Sequence, residues 1–374
     1  MLKEHKFIVF ALDHYNPLGM IRTLGEQGIN PIFIAVKHRV DLGVKSKYVS
    51  KVHKVQSVEE GYELLLSEYG NEKIKPFLLT SDDRTTGYLD ERYDELKDRF
   101  IFFNAGKNNR IAKYMDKDKI LQLAKKHGLK VLETRVLNKG EIPNDLEYPI
   151  ITKSISPNVG GWKSDVHICR NSDELELAYN KISSPLVLVQ KYIEKKNEFC
   201  LDGFSANKGK DFYVGIASTY KYVIPGYYSP YMDVFNFRND AMRESLHEMI
   251  KEIGFEGVFS IEFLIDKDDN YWFCEINFRN STWSYASTVA GMPLAYLWAV
   301  TMLDGKMPDN AEKIIPEGFT AMVEPVDYGK RMELGISSKE EWLKDFKETN
   351  CGFYYCKDDI EPFFEMVRHW DELS

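Results

Sequence analysis

Two segments in the second half of the chain have the alternating pattern of an antiparallel β-hairpin. Residues 258–265 and 271–277 both alternate in the manner of strands, and a turn-forming run of Lys, Asp and Asn lies between them. We expect a register in which Asp266 faces Tyr271 across the turn. That register brings two glutamates face to face in the middle of the hairpin.

In this register Glu262 lies opposite Glu275, with their Cβ atoms about 5 Å apart, and two like charges at that spacing are destabilising. We therefore expect a cation between them. Asn277 points to the same face by the period-two rule and adds a neutral oxygen ligand. Two carboxylates and an amide suit Mg²⁺ or Mn²⁺ and disfavour zinc, and Mg²⁺ held this sparsely completes its shell with water and substrate phosphates. A nucleoside triphosphate is the expected ligand.

The alternative is that both glutamates are exposed residues of an edge hairpin. The residues that flank Glu262 and Glu275 are mostly Phe, Ile, Leu and Trp, so the strands are predicted to be buried on both faces. Buried carboxylates without a partner are costly, which favours the cation site.

A second feature suited to phosphate lies near the middle of the chain. Lys153 interrupts an apolar run, as expected of an edge residue or of a charge directed at an anion. The following loop, residues 154–163, contains Ser156, Gly160 and Gly161, and its backbone N–H groups could close over phosphate oxygens. The same glycines are equally compatible with a plain hairpin turn.

Several common kinds of site are excluded. No GxGxxG or GxxxxGK[ST] motif follows a predicted strand, so the dinucleotide fingerprint and the Walker A loop are both missing, which disfavours an NAD-dependent dehydrogenase. No convincing Ser-His-Asp or Cys-His set is found, and the eight histidines are interpreted as structural or exposed. A triphosphate held by lysines, a small-residue loop and a carboxylate-bound metal remains.

The elements that position these residues begin with a doubly wound pattern. Apolar strands are predicted at residues 7–12 and 31–36 with a helix at residues 18–27 between them, which is the opening of a parallel βαβ unit. Strands at residues 77–80 and 100–104 continue the alternation.

The pattern changes at Asp116, which is predicted to cap a helix, and the following region is rich in strands. After Pro308 a smaller tail of strand, helix, strand and helix is predicted. We divide the chain into a doubly wound domain at 1–110, a second domain at 111–310 and a C-terminal α/β extension at 311–374.

Composition limits the class of protein. The 374 residues are 44% hydrophobic, and 49 Lys and Arg against 58 Asp and Glu give a net charge of −9, which argues against nucleic acid as a partner. The five cysteines are scattered and give no zinc framework, as expected of reduced thiols in the cytoplasm. The longest apolar stretch, residues 292–303, is shorter than the roughly 20 residues of a membrane span. The sequence predicts a soluble, cytoplasmic protein.

From residue 116 to about residue 303, the motifs resemble those of the ATP-grasp superfamily in order along the chain. The hairpin motifs at 260–263 and 274–279 are most similar to those of biotin carboxylase and carbamoyl-phosphate synthase. The resemblance implies that the two glutamates and the asparagine hold two Mg²⁺ ions against the ATP phosphates. It also implies that Arg279 holds the acyl substrate or its phosphate.

The same resemblance implies a nucleotide site. Residues 188–193 are similar to the hinge that binds adenine through its backbone, although Gln190 stands where the family usually has Glu, and its amide oxygen would keep the contact to the adenine amino group. The implied nucleotide-binding residues are Lys119 and Lys153 for phosphate, Ser156, Gly160 and Gly161 in the flap, Gln190, Lys191, Tyr192 and Ile193 in the hinge, Glu198 for ribose, and Glu262 and Glu275. The implied metal ligands are Glu262, Glu275 and Asn277, and the implied catalytic residues are Arg279 and Lys153.

The N-terminal region resembles the domain that precedes the grasp in these enzymes and contributes to the acceptor site, here through residues 16–19 and 81–83. Residues 220–238 are rich in aromatic side chains and either line the acceptor pocket or pack on the body of the protein. Residues 281–287 either contact substrate or begin a helix that packs its aromatic side chains.

The resemblance implies an α/β and α+β protein, in which a doubly wound N-terminal domain precedes an ATP-grasp fold with a mobile lid at about 148–190. The implied activity is that of an ATP-dependent carboxylate–amine ligase that works through an acyl-phosphate, with ATP and Mg²⁺ or Mn²⁺ as cofactors and a small carboxylate and an amine as substrates. A bicarbonate-activating carboxylase or carbamoyl-phosphate-type enzyme and an inactive ATP-binding regulatory protein are the alternatives. A homodimer is left open.

Overall fold

The N-terminal region is built around a five-stranded parallel sheet. The computed structural model describes residues 2–155, 165–224 and 228–373. The strands of this sheet are β1 (Phe7–Leu12), β2 (Ile32–Val36), β3 (Lys51–Val55), β4 (Phe77–Leu79) and β5 (Ile101–Phe102). The accompanying helices are α1 (Tyr15–Glu26), α2 (Val58–Tyr69), α3 (Asp83–Asp90), α4 (Tyr93–Leu96) and α5 (Arg110–Met115), with short 3₁₀ turns at Leu2–Glu4 and Gly43–Lys45.

The strand order β3-β2-β1-β4-β5 explains where this sheet can bind a ligand. All its strands are parallel, and β1 lies in the centre with β2 on one side and β4 on the other. The chain adds β2 and β3 on one side of β1 and then crosses to the other side to add β4 and β5. The point at which the strand order reverses therefore lies between β1 and β4. In open α/β sheets the crevice at the carboxyl ends of such a strand pair is the usual binding site.

The doubly wound prediction is confirmed for the central strands, and one strand was missed. Strand β1 has its predicted bounds and is almost wholly buried, as expected when helices cover both faces of a parallel sheet. The strand at Lys51–Val55 was not predicted because it lies at the edge, where Lys51 and Lys54 are exposed and obscure the apolar pattern.

A four-stranded antiparallel sheet follows. It consists of β6 (Thr134–Asn138), β7 (Ile150–Lys153), β8 (Ile168–Cys169) and β9 (Leu186–Lys191) in the order β6-β9-β7-β8, and it is accompanied by α6 (Lys117–Lys126) and α7 (Ser172–Tyr179). Asp116 caps α6 as predicted, since its carboxylate accepts from the N–H groups of Asp118 and Lys119. Ile150, Leu175 and Val187 belong to a small core of this sheet.

A seven-stranded sheet forms the largest layer. Its strands are β10 (Lys195–Ala206), β11 (Asp211–Tyr220), β12 (Tyr231–Phe235), β13 (Gly257–Asp266), β14 (Tyr271–Asn277), β15 (Thr320–Met322) and β16 (Cys351–Gly352), in the order β14-β13-β10-β11-β12-β15-β16. Its pairs are antiparallel except for β15 with β16. The predicted hairpin is therefore β13–β14, at one edge of this sheet.

The remaining helices are α8 (Asp240–Ile253), α9 (Ser284–Val289), α10 (Leu294–Asp304), α11 (Glu324–Glu333), α12 (Lys339–Glu348), α13 (Glu361–Arg368) and α14 (Trp370–Leu373).

The C-terminal segment is integrated with both larger sheets. Its strands β15 and β16 extend the seven-stranded sheet, and an ion pair attaches it to α1 of the N-terminal region. Arg22 of α1 is fully buried, and its Nε donates to Asp359 Oδ2 at 2.9 Å. The same guanidinium donates to the carbonyl oxygens of Phe353, Tyr354 and Asp359, each at 2.9 Å. All three guanidinium nitrogens of Arg22 donate to this one segment.

No helix within the described ranges is both long and apolar enough to cross a membrane.

One buried acid makes stability depend on pH. Burial raises the pKa of Asp90 to about 6, although Ala112 N–H donates to its carboxylate at 2.9 Å. The folded state therefore holds a proton that the unfolded chain releases near its ordinary pKa of 3.8. As a result, the contribution of Asp90 to the free energy of unfolding falls as pH rises from about 4 to about 7. We expect the free energy of unfolding of Asp90→Asn to decrease by about 2 kcal/mol less than that of wild type over this pH range, measured by urea unfolding at each pH. Parallel pH profiles for wild type and variant would contradict this.

Candidate functional site

A cavity of about 460 Å³ lies where the carboxyl ends of β1 and β4 face the hairpin β13–β14 and strand β10. The segment after β1 contributes His14, Tyr15 and Asn16, and the segment after β4 contributes Ser81, Asp82 and Asp83. The opposite wall consists of side chains from β10, β13 and β14, including Glu198, Glu262, Glu275 and Asn277. The sheet crevice and the predicted metal hairpin therefore form one site.

The hairpin pairs Glu262 with Glu275 as predicted, but it does so through a different register. Near the turn, Ile265 lies opposite Tyr271, so the predicted pairing of Asp266 with Tyr271 is wrong. A ladder that continued in this register would offset the two glutamates by one residue. An irregularity after Glu262 adds one residue to β14, and this β-bulge restores the pair.

Asp266 pairs with Lys195 of β10 and not with Tyr271, and its side chain organises the turn. Its carboxylate accepts from the N–H groups of Asp268 and Asn270, both at 2.9 Å, and from Trp272 Nε1 at 2.8 Å. These bonds, led by the one from Trp272, lower the pKa of Asp266 to about 2. The carboxylate therefore stays ionised and closes the turn one residue earlier than predicted.

The two central glutamates have different electrostatic environments. The Lys117 ammonium, 2.6 Å from Glu275 Oε2, lowers the pKa of Glu275. Burial raises the pKa of Glu262 to about 8, and the charge of Glu275 adds to the rise. Asn277 Nδ2 donates to Glu262 Oε1 at 2.8 Å, which orients that carboxylate without neutralising it. Among the residues that the structure describes, Glu275 forms an ion pair with Lys117 and Glu262 forms none.

This imbalance fits a divalent metal ion. A cation beside Glu262 would provide the charge that Lys117 provides to Glu275. The oxygens of Glu262, Glu275 and Asn277 are the hard ligands that Mg²⁺ prefers.

The lysine in the cavity is Lys117, and the predicted Lys119 lies outside it. Lys119 is half exposed and pairs with Asp118 at 3.0 Å, whereas Lys117 lines the cavity. Both lysines lie in the first turn of α6, and residues two apart on a helix point to nearly opposite sides. The structure therefore places Lys117 at the cavity, and the predicted Lys119 lies outside it.

Lys153 lies beside the cavity and is held by the residue predicted to contact adenine. Its Nζ donates to Gln190 Oε1 at 3.0 Å, and Gln190 Nε2 donates to Thr134 Oγ1 at 2.9 Å. Burial lowers the pKa of Lys153. The amide oxygen of Gln190, expected to contact the adenine amino group, is thus engaged by Lys153.

The rest of the predicted hinge does not line the cavity. Lys191 N–H and Tyr192 N–H donate to the carbonyl oxygens of Glu133 and Pro149, at 2.8 and 2.9 Å, and neither residue lines the cavity, nor does Ile193. The predicted residues Ser156, Gly160 and Gly161 lie outside the described residues.

Glu198 does line the cavity. Tyr220 donates its hydroxyl to Glu198 Oε2 at 2.7 Å, and Lys195 Nζ donates to the other oxygen. Both carboxylate oxygens therefore have a protein donor.

Arg279 joins the hairpin to the N-terminal sheet. Its Nε and Nη2 donate to the two carboxylate oxygens of Asp83, at 2.7 and 3.1 Å, and Nη2 also donates to Asn277 Oδ1 at 3.1 Å. Asp83 is the first residue of α3, the helix that follows β4. This bidentate bridge fixes the arginine between the predicted metal ligands and the predicted acceptor segment.

The aromatic side chains of residues 220–238 and 281–287 were expected either to line the pocket or to pack on the body of the protein, and both cases occur. Tyr220, Tyr228 and Trp283 line the cavity. Tyr222 instead donates its hydroxyl to Asp327 of the C-terminal segment, and Tyr285 donates to Glu26 Oε1 at 2.7 Å.

Among the cavity residues that the sequence analysis missed are Lys117 and His14. The rule that ligands bind at the carboxyl ends of parallel strands points to His14, which follows β1 by two residues. Lys117 is the first residue of α6, and the position of the Asp116 cap was its only signal.

Comparisons with known proteins agree with this architecture. The family model for the carbamoyl-phosphate synthase L chain, ATP binding domain, matches residues 228–306, which include the hairpin. The propionyl-CoA carboxylase alpha chain of Ruegeria pomeroyi is 22% identical over 152 residues, which are 37% of this chain and 22% of that protein. The chain thus matches less than a quarter of the length of that relative.

Solved structures match over most of the chain. The L-amino acid ligase of Bacillus licheniformis superposes with a TM-score of 0.64 at 14% identity, covering 84% of this chain and 78% of that one. N5-carboxyaminoimidazole synthetase of Staphylococcus aureus also gives 0.64 at 14% identity, covering 88% and 85%. A biotin carboxylase of Campylobacter jejuni gives 0.61 at 17% identity, covering 83% and 73%. The chain has the ATP-grasp fold, and the predicted fold class is confirmed.

Proposed function

We propose that this protein is an ATP-dependent carboxylate–amine ligase that uses Mg²⁺ and forms an amide through an acyl-phosphate. The observation that carries the proposal is the Glu262–Glu275 pair, which faces the ligand-binding edge of the N-terminal sheet across one cavity. A metal–triphosphate site and an acceptor site on opposite walls are what a phosphoryl transfer to a carboxylate requires.

In the proposed reaction a carboxylate oxygen attacks the γ-phosphorus, and the bond from that phosphorus to the β,γ-bridging oxygen breaks to release ADP. The amine then attacks the acyl carbon, loses a proton, and displaces phosphate. Such transfers need positioning and charge neutralisation more than a protein nucleophile, which agrees with a site made of carboxylates, lysine and arginine.

Each residue of the site has a role in this proposal. Glu262, Glu275 and Asn277 would hold Mg²⁺, which, when bound, neutralises the charge on the transferred phosphoryl group. Lys117 holds Glu275 ionised and adds a positive charge at the cavity wall. Arg279, fixed by two bonds to Asp83, stabilises the negative charge of the acyl-phosphate.

A bicarbonate-activating carboxylase is the second candidate. The family match at residues 228–306 and the likeness to carboxylase chains favour it. The two proposals differ in the acid that is phosphorylated, bicarbonate in one and an organic carboxylate in the other.

The test is a screen for ADP release with organic carboxylates, bicarbonate and amines in all combinations, with Mg²⁺ present. We expect release that requires an organic carboxylate and an amine together. Release with bicarbonate alone would favour the second candidate, and no release above background with any combination would contradict both.

Two lysines of α6 provide a matched pair of variants for the screen. Lys117→Met should lower the rate of ADP release about a hundredfold, because it removes a charge from the cavity and the partner of Glu275. Lys119→Met removes the same charge two residues away, outside the cavity, and should keep the rate within about twofold. Equal losses in the two variants would contradict the assignment of Lys117.

A further inference from the structure

The imidazole ring of His14, on the cavity wall, has a hydrogen-bond donor at Nε2. His14 is the N-cap of α1, and Asn16 N–H donates to its Nδ1 at 3.1 Å. Burial lowers the pKa of His14 to about 3, so the ring is neutral at physiological pH. A neutral imidazole that accepts at Nδ1 must carry its proton on Nε2.

No described residue accepts a hydrogen bond from His14 Nε2, although His14 lines the cavity. A hydrogen-bond donor on a cavity wall needs an acceptor, and in this position the acceptor is water or an oxygen of a ligand.

Three exposed residues with nitrogen-bearing side chains lie at the same sheet edge as His14. Lys37, His38 and Arg39 directly follow β2, the strand that pairs with β1, so they lie at the same edge of the sheet as His14. The His38 ring centroid is 5.6 Å from that of His14. Within the part of the chain that the structure describes, neither Lys37 nor Arg39 forms an ion pair, in a protein with a net charge of −9.

Acidic groups near these basic residues are mostly bound by protein donors. Asp41 pairs with Lys54 at 2.5 Å, and Asp13 accepts from Gly43 N–H at 2.6 Å through Oδ1, while its buried Oδ2 has no partner among the described residues. Asp82 accepts from Leu12 N–H at 3.0 Å, and from the N–H and the hydroxyl of Thr85, at 2.7 and 2.9 Å. Asp83 is bound on both oxygens by Arg279. The positive charges of Lys37 and Arg39 therefore remain available to a ligand.

From these contacts we propose that His14, His38, Lys37 and Arg39 form a subsite for an anionic group of the substrate, a carboxylate or a phosphate, which does not react and remains in the product. The inference rests on the proposed ligase function. The glutamate pair lies in the same cavity as His14, whereas Lys37, His38 and Arg39 are exposed and lie outside the cavity lining, at the edge of the sheet that carries His14. The substrate class is thus one whose members carry an anionic group in addition to the reacting carboxylate or amine.

A binding experiment tests the subsite without turnover. Protein labelled with ¹⁵N-histidine, saturated with MgADP to fill the nucleotide site, is titrated with succinate and with phosphoethanolamine, and succinamide and ethanolamine serve as the uncharged controls. We expect the His14 signals, assigned with His14→Asn, to show a bare Nδ1 and a protonated Nε2, and the Nε2 signal to shift with at least one anion and with neither control. Succinate and phosphoethanolamine distinguish carboxylate from phosphate. A proton on Nδ1, or no shift with either anion, would overturn the proposal.

Kinetics give the second test. Asparagine is a good N-cap, so His14→Asn keeps the start of α1 and removes the ring donor. We expect KM for an acidic substrate to rise about tenfold in His14→Asn and in Lys37→Gln/Arg39→Gln, with KM for ATP changed less than about twofold. Lys73→Gln/Lys107→Gln, which removes two exposed charges elsewhere, is the control and should leave both constants unchanged.

The two proposals can fail separately. Turnover in which His14→Asn raises KM equally for acidic and uncharged substrates would overturn the subsite and leave the ligase assignment standing. No turnover by wild type with any substrate would contradict the ligase function, and the histidine signals would still decide whether the subsite binds anions.

Discussion

Replacing Glu275 with glutamine will lower the rate of ADP release by about a hundredfold or more, because the variant removes one of the two carboxylates that we propose to hold the metal–triphosphate complex. The change keeps the size and shape of the side chain, so its effect is on charge. The ammonium of Lys117 then loses its partner at 2.6 Å and adds an uncompensated positive charge to the same wall. The measurement is ADP release at saturating ATP over a range of Mg²⁺ concentrations.

The control for this variant is Asp269→Asn, in the turn of the same hairpin. Asp269 is exposed and pairs with Lys196 at 2.7 Å, so its loss should leave the rate within about twofold. Both variants should melt within a few degrees of wild type, since the paired strands keep their apolar contacts. Activity of Glu275→Gln close to that of wild type, with or without added Mg²⁺, would refute the role of the hairpin as the metal site.

The glutamate pair could be predicted from the sequence because strand alternation is a local pattern and like charges at opposed positions demand a partner. The β-bulge that places the two glutamates opposite each other could not be predicted from the sequence. Its cause is the set of bonds that Asp266 makes with the turn, and several hydrogen-bonding patterns of one acidic turn are compatible with the same residues. The pair was found because two offsets of one residue, at the turn and at the bulge, cancel.

Helix position limited the prediction of the lysine. The segment Asp116 to Lys119 alternates acid and base, so an aspartate directly precedes each lysine. Only the packing of α6 against β14 decides which of the two faces the cavity. Sequence spacing predicted a lysine in the first turn of α6. It gave Lys119, which lies on the side of the helix that faces away from the cavity.

The contact between Arg22 and Asp359 was beyond sequence reasoning, since the two residues are 337 positions apart and neither belongs to a motif. A buried arginine in the middle of an amphipathic helix resembles an exposed one in sequence. The C-terminal extension was therefore predicted as a unit, and its attachment to the first helix was not.

Replacing Arg22 with methionine should destabilise the protein by about 3–5 kcal/mol, the usual cost of removing one partner of a fully buried ion pair. Methionine fills most of the space but donates no hydrogen bond. The loss leaves Asp359 buried with only the donors of Ser46 and Lys47, and it leaves the carbonyl oxygens of Phe353 and Tyr354 without their donor. The measurement is the midpoint of urea and thermal unfolding.

The matched control is Arg135→Met, which removes an arginine from an exposed pair with Asp145 and should cost less than about 1 kcal/mol. Arg22→Lys keeps the charge and loses the planar fork, so we expect a midpoint between those of wild type and Arg22→Met. Equal midpoints for Arg22→Met and Arg135→Met would show that the buried pair contributes no more than a surface pair.

The loss should begin in the segment that Arg22 binds. Phe353 and Tyr354 pack against Tyr15 of the cavity wall, with ring centroids 6.5 and 5.3 Å apart, so the guanidinium supports that wall from behind. We therefore expect amide hydrogen exchange in residues 351–360 of Arg22→Met to accelerate under conditions in which the glutamate hairpin remains protected. Exchange that accelerates equally in both regions would mean that the extension and the hairpin unfold as one cooperative unit.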